Sequence, residues 1–207
     1  MPQRMSRGER KDQTRADLVA AARTVFLRRG FHPATLDEIA DQAGYTKGAV
    51  YSNFGGKDEL FLAVLDTRYD EQLRLHGALM RAAGTFEAGV RAAARQLAAQ
   101  SDQQPEWIPL LMEFWTHASR RPHLRAEVRK RHEQQLDGLA AILTGLADRH
   151  GLVFAIPARD VARSANALSR GIALERPLDP DAGPAPHFED MFAAVVLGFT
   201  HRRGDPS

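Results

Sequence analysis

Between Thr35 and Lys57 the chain gathers residue types that read a polyanion rather than those that make or break bonds. Lys47, Gly48, Ala49, Tyr51, Ser52 and Asn53 supply a cation, two side chains small enough for close approach, an aromatic ring with a hydroxyl, and two hydrogen-bonding groups. Carried on a short helix whose Val50 and Phe54 turn inward, they suit a recognition helix entering a DNA major groove N-terminus first. Lys57 opens the next helix, where its charge and the nearby free amides suit a phosphate.

Bond-making chemistry finds no comparable set. The chain has no cysteine, which excludes disulfides, thiolate metal sites and cysteine nucleophiles. Its eight histidines include no pair at metal-ligand spacing with a carboxylate partner. No nucleotide loop or activated-nucleophile motif occurs. No catalytic residue, metal or cofactor is therefore assigned, and an enzyme is not expected. No apolar run approaches the roughly 20 residues that span a bilayer, and the stretch from Met1 to Lys11 lacks the apolar segment of a secretory signal. A cytoplasmic protein with no membrane partner is expected. Charge is divided unevenly: residues 1–57 hold ten Lys and Arg against six Asp and Glu, and the remainder 18 against 20. A basic N-terminal end on a near-neutral body points to a polyanionic partner at that end.

The elements that must position these residues follow from a helical apolar period. Leu18, Val19, Ala22, Val25 and Phe26 mark a helix from about Thr14 to Arg29, ended by Gly30. Leu36, Ile39, Ala40 and Ala43 mark a short second helix begun by a capping box of Thr35 and Glu38. Gly44 permits the tight turn into a third helix, which runs from Thr46 as N-cap to Phe54 and stops at Gly55-Gly56. The fourth runs from Lys57 to about Leu79. Longer helices are read near 86–100, 105–119, 122–149, 158–174 and 186–201, with a loop over Glu175–His187 set by Pro177, Pro180, Gly183, Pro184 and Pro186. No window shows strand alternation. The fold class is all-α, with about nine helices: an N-terminal three-helix helix-turn-helix domain and a C-terminal helical bundle.

The run Thr35-Leu36-Asp37-Glu38-Ile39-Ala40-Asp41-Gln42-Ala43-Gly44-Tyr45-Thr46-Lys47-Gly48-Ala49-Val50-Tyr51-Ser52-Asn53-Phe54, followed by Lys57 and Leu60, closely resembles the signature of the TetR/AcrR family of transcriptional regulators. Ala22, Phe26, Gly30 and Phe31 also stand where that family has its first helix, so the resemblance spans roughly residues 12–72. It implies base contacts for Lys47, Gly48, Ala49 and Tyr51, and phosphate contacts for Thr35, Thr46, Asn53 and Lys57. Two positions depart from the pattern: Asn53 replaces a more usual His or Tyr, and Gly56 replaces a Ser that commonly caps the fourth helix. The chain divides accordingly into a basic flexible arm over 1–11, a helix-turn-helix domain over 12–72 with the motif at about 35–54, and an effector-binding and dimerisation domain over 73–207.

Signals beyond residue 72 are broader. The helix near 105–119 is apolar almost all round, with Trp107, Leu111, Phe114 and Trp115, and belongs at the centre of a domain. Together with Phe86 these residues are read as walls of a ligand pocket. His132 and Gln135 on one apolar stripe, and Asn166 and Ser169 on another, are read as its polar contacts. With no excess of one charge on these stripes, a largely neutral, apolar or aromatic small-molecule effector is expected. Wide apolar faces carrying Val161, Ala165, Leu168 and Ile172, and Met191, Val195 and Phe199, suggest a homodimer interface of four helices. The leading reading is a repressor released from palindromic double-stranded operator DNA by its effector. Two others stay open: a small all-α enzyme using the Trp107/His132 region, and a DNA-binding regulator with no small-molecule effector.

Overall fold

The computed structural model describes residues 6–175, 178 and 187–204. Among them are nine helices: α1 (Arg7–Arg29), α2 (Leu36–Ala43), α3 (Lys47–Asn53), α4 (Lys57–Ala82), α5 (Phe86–Gln103), α6 (Trp107–Ser119), α7 (Pro122–Arg149), α8 (Ala158–Glu175) and α9 (Phe188–Leu197). Two short strands, β1 (Leu152–Phe154) and β2 (Thr200–Arg202), complete the set.

Three local readings need correction. First, α1 begins at Arg7, not near Thr14, so residues 7–11 are helix rather than flexible arm; residues 1–5 lie outside the described ones. The cause is a capping box. The Ser6 hydroxyl accepts the Glu9 amide at 3.2 Å while the Ser6 amide donates to Glu9 at 2.6 Å, so two orphan donors are satisfied by one pair. Second, β1 and β2 form an antiparallel ribbon with Val153 opposite His201. Three-residue strands are too short to show alternation in a sequence. Third, α9 spans Phe188–Leu197 rather than 186–201, because the chain leaves helix at Gly198 to enter β2. Of the Pro-rich stretch between α8 and α9, only Leu178 is described.

The chain packs as two compact units, Met1–Arg68 with Leu110–Val128, and Tyr69–Pro109 with Arg129–Ser207. A single boundary at residue 72 therefore does not describe it. Most of α6 and the start of α7 belong to the N-terminal unit, and the reason is aromatic. Phe114 stacks on Phe61 with ring centroids 4.1 Å apart and meets Phe31 edge-on at 4.9 Å. Phe26 meets Phe61 edge-on at 5.2 Å. All four rings are completely buried or nearly so, and edge-to-face or offset contacts add to the apolar gain of burying them. The other unit is built on Phe86, Val90, Leu136, Leu146, Val161 and Phe192. Its chain end is held by the ribbon and by Arg203, which donates to Asp148 at 2.6 Å.

Because Phe114 is the central ring of the N-terminal unit, Phe114→Ala should destabilise the protein by about 3–5 kcal/mol. Urea unfolding measures this; a cost below about 1 kcal/mol would contradict the packing described.

Candidate nucleic-acid interface

The helix-turn-helix is assembled from three caps. Thr35 and Glu38 form the reciprocal box at the start of α2, the Thr35 hydroxyl accepting the Glu38 amide at 3.2 Å and the Glu38 carboxylate accepting the Thr35 amide at 3.1 Å. That amide, ahead of burial, which acts the other way, and of nearby Arg29, holds the Glu38 carboxyl below its usual range. Gly44 ends α2 in the left-handed region at φ 73° and ψ 26°, and the Tyr45 amide reaches back to the Ala40 carbonyl at 2.9 Å. A side chain with a Cβ rarely adopts that backbone. Thr46 then caps α3, its hydroxyl oxygen accepting the Ala49 amide at 3.3 Å.

Side chains from α1 and the core lock this motif in place. The Tyr45 hydroxyl donates to Asp17 at 2.9 Å. Arg15 donates to the Asn53 carbonyl at 2.8 Å and lies over the Phe54 ring at 4.2 Å, closing the C-terminal end of α3. Val50 and Phe54 are buried, whereas Tyr51 is 55% exposed. Lys47, Gly48 and Ser52 are exposed beside it, and Ala49 is half-buried. Lys47, Gly48, Tyr51 and Ser52 are thus open as the residue types lead one to expect, whereas Ala49 and Asn53, expected beside them, are half-buried. Lys47 rests in an ion pair with Asp37 at 3.0 Å, which raises its pKa, and both partners are open to solvent.

The four residues expected to hold phosphates are placed differently from one another. The cap uses the Thr46 hydroxyl only as an acceptor, so its proton can still go to a phosphate. The Thr35 hydroxyl donates to Glu38 at 3.2 Å. Asn53 is turned inward: its amide donates to the Ala49 carbonyl at 2.8 Å, and its Oδ1 is buried. Lys57 departs furthest. Its ammonium donates to the carbonyls of Phe31 at 2.9 Å, His32 at 3.0 Å and Ala34 at 3.0 Å, and sits over the Phe31 ring at 4.7 Å. An ammonium has three N–H donors, and all three are used. Burial lowers its pKa, opposed by the charges of Asp58 and Glu113. Lys57 is a tether of the loop before α2.

The same loop is held from its other side by a residue the sequence reading passed over. The Glu113 carboxylate on α6 accepts the amides of Phe31 at 2.9 Å and His32 at 2.8 Å. Gly30, at φ 82°, leaves room for it: a Cβ there would stand 3.0 Å from a Glu113 oxygen. The signal that could have found it is a lone acid in a mostly apolar helix.

The residues read as one ligand pocket are divided between the two units. Leu111, Phe114 and Trp115 belong to the N-terminal unit; Phe86, Trp107, His132, Gln135, Asn166 and Ser169 belong to the other. Phe86 and Trp107 are buried there, and Phe86 faces Phe154 edge-on at 6.1 Å. The Ser169 hydroxyl turns back to its own helix, donating to the Ala165 carbonyl at 2.9 Å. Asn166 does line a cavity of about 30 Å³, walled by Met80, Leu97, Leu139, Leu143 and Phe192. Of the residues expected at a dimer interface, Val161 and Ala165 are buried in their own unit's core and are unavailable. Met191 is 40% and Phe199 37% exposed, and Leu168, Ile172 and Val195 are half-buried. Among the described residues no helix is long and apolar enough to cross a membrane.

Comparison with known proteins places these features in context. The family model for "Bacterial regulatory proteins, tetR family" matches residues 18–64. A second, "BetI-type transcriptional repressor, C-terminal", matches residues 86–200, more than half of the chain. The HTH-type transcriptional activator FasR of Mycolicibacterium smegmatis is 48% identical over 66 residues, 31% of this chain and 30% of FasR. The HTH-type transcriptional regulator YfiR of Bacillus subtilis is 38% identical over 66 residues, 32% of each chain. The chain therefore matches about a third of the length of these relatives. A solved transcriptional regulator from Rhodococcus sp. superposes with a TM-score of 0.67 at 26% identity, covering 89% of this chain and 95% of that one.

If Lys57 tethers the loop, Lys57→Met should cost about 1.5–3 kcal/mol of stability, the range for hydrogen bonds to a charged group. The salt dependence of DNA binding should not change. A slope of log affinity against log salt lowered by about one unit would instead mark a lost phosphate contact.

Proposed function

Since the chain belongs to the TetR family of bacterial regulatory proteins, we propose that it is a homodimeric transcriptional repressor that leaves a near-palindromic operator when a small molecule binds its C-terminal unit. The observation that carries this reading is the exposed face of α3. Lys47, Gly48, Tyr51 and Ser52 stand open on a helix whose Val50 and Phe54 are fixed in the core. Small residues at its N-terminal end allow close approach to base edges, and the lysine and tyrosine supply hydrogen bonds there. The Lys47–Asp37 pair is exposed and exchangeable, so a base can replace the carboxylate at little cost.

One short recognition helix gives too few base contacts for discrimination in a genome, and two related by a two-fold axis give enough. The surface for pairing is the outward side of α8 and α9. On α9, Met191, Ala194 and Val195 recur at helical spacing and are exposed or half-buried, with Gly198 and Phe199 exposed just beyond its end; on α8, Ala167, Leu168, Gly171 and Leu174 do the same. Small residues between larger apolar ones let two such surfaces approach closely. An activator is the second reading, favoured by the name of the FasR relative. Repression is preferred because the repressor model covers the longer match.

Tyr51→Ala and Lys47→Ala should each weaken binding to the best palindrome near the protein's own promoter by about 1–3 kcal/mol. Gel-shift titration reads this, and wild-type affinity in both variants would sink the assignment. Val195→Glu should abolish the dimer and operator binding together. Sedimentation of the wild-type protein as a monomer at micromolar concentration would remove the dimer from the proposal.

A further inference from the structure

Cations do not dominate the helix-turn-helix itself. Between Thr35 and Phe54 stand Asp37, Glu38 and Asp41 against the single cation Lys47, whereas α1 carries seven Lys and Arg against three acids. Attraction to the phosphate backbone is sequence-blind and grows with the number of cations that reach it. The motif contributes little to that attraction, because its one lysine is held by a carboxylate. Glu38 is engaged elsewhere, accepting from Arg29 at 2.9 Å and from the Thr35 amide at 3.1 Å. Asp37 is the acid committed to Lys47, accepting from its ammonium at 3.0 Å.

The pair bridges the two helices of the motif. Asp37 is the second residue of α2 and Lys47 the first of α3. Both side chains are open, Lys47 at 53% and Asp37 at 60%, and an exposed pair of this kind adds little to stability. Its effect is to set a donor beside an acceptor on the outer face. The carboxylate need not leave when a base arrives. An ammonium has three N–H donors, and an ionised carboxylate only accepts. With one donor given to Asp37, Lys47 still presents two, and Asp37 presents an acceptor one hydrogen bond away.

The major-groove edge of a G·C pair carries the complementary order. Guanine N7 and O6 accept, and the cytosine N4 amino group next to O6 donates. O6 and N4 are hydrogen-bonded to each other, so they too stand about 2.9 Å apart. An A·T pair breaks the order: its N7 acceptor is followed by the N6 donor, and its O4 acceptor is flanked by a methyl group. In either alignment one lysine donor goes unmet. Phosphates offer acceptors alone, and Asp37 repels them.

We propose that Asp37 and Lys47 read one G·C pair in each half of the operator as a unit, Lys47 donating to guanine N7 and O6 while Asp37 accepts from cytosine N4. Asp37 is then a specificity-determining residue. It keeps the ammonium from settling on phosphates, and it adds an acceptor for the amino group beside O6. The inference rests on the reading of α3 as the helix that enters the major groove.

The test uses the full-length protein and a duplex site that it selects from a random library, each base pair of which is then replaced in turn. One G·C pair per half-site should emerge whose replacement by A·T weakens wild-type binding about tenfold or more. In Asp37→Ala that ratio should fall to about threefold or less. Affinity for random-sequence DNA should rise, and the slope of log affinity against log salt should steepen by about one unit, the lysine now being free for a phosphate. Asp41→Ala removes the same charge from α2 but leaves the pair in place, and should keep the wild-type ratio. In a Lys47→Ala background, Asp37→Ala should change the ratio no further. Asp37→Ser, with a short polar side chain that cannot reach the ammonium, guards against a folding loss and should match Asp37→Ala. An unchanged ratio in both Asp37 variants overturns the proposal, as does an equal fall in Asp41→Ala or a selected site with no such G·C pair. Indifference of the selected site to both Tyr51→Ala and Lys47→Ala defeats α3 as the reading helix. Sensitivity to those two, with none to Asp37→Ala, defeats the pair alone.

Discussion

Everything α3 presents depends on how the six-residue loop between α1 and α2 is held. That loop is gripped by opposite charges. The Lys57 ammonium takes three of its carbonyls and the Glu113 carboxylate two of its amides. Loop backbone groups that would otherwise need water are satisfied by side chains, and charged partners make these bonds stronger than neutral ones. Phe31 is fixed at the same time on both faces, by the ammonium above its ring and by Phe26, Phe61 and Phe114 around it. With the loop fixed, the cap at Thr35 starts α2 at a set point, Gly44 turns the chain, and α3 follows.

Two of the side chains that hold this loop come from helices that continue past the N-terminal unit. Lys57 opens α4, whose later residues from Tyr69 belong to the other unit; Glu113 lies on α6, whose first turn also belongs there. With α7, three helices have residues in both units. Under the proposed ligand control, a ligand would act on the loop through these covalently continuous helices only to the extent that it preferred one arrangement of them over another.

The parts of this molecule legible in sequence are those fixed by neighbours in the chain. The caps at Thr35 and Thr46, the turn at Gly44 and the inward Val50 and Phe54 all depend on residues within about one turn, and each stands where the residue types place it. The Ser6–Glu9 box is as local as the one at Thr35, but no apolar period follows it closely enough to announce a helix. What was not legible depends on distant pairings. Lys57 has the charge of a phosphate ligand, and only its proximity to a loop 23–26 residues earlier shows that its donors are already used. Trp107 and Phe114 lie on one helix and looked like one wall, yet they fall in different units. Val161 and Ala165 are apolar like Leu168 and Ile172, and only the packing of α8 decides which of them faces its own core.

The assignment of Leu110–Val128 to the N-terminal unit has a bearing on how the protein is made. Synthesis delivers the helix-turn-helix first, but Phe31 and Phe61 wait for Phe114, and the amides of Phe31 and His32 wait for a carboxylate some 81–82 residues further on. Ribosomes add about 5–20 residues each second, so the nascent reading head spends several seconds with its aromatic face uncovered. Contacts of such sequence separation also slow folding itself, because the intervening loop must be closed before they form. Until residues 110–128 have emerged, the N-terminal segment lacks the ring and the carboxylate that complete its packing. For the same reason it cannot be transplanted as the contiguous stretch 1–68. A chimera that keeps its DNA preference has to carry two separate pieces of the chain.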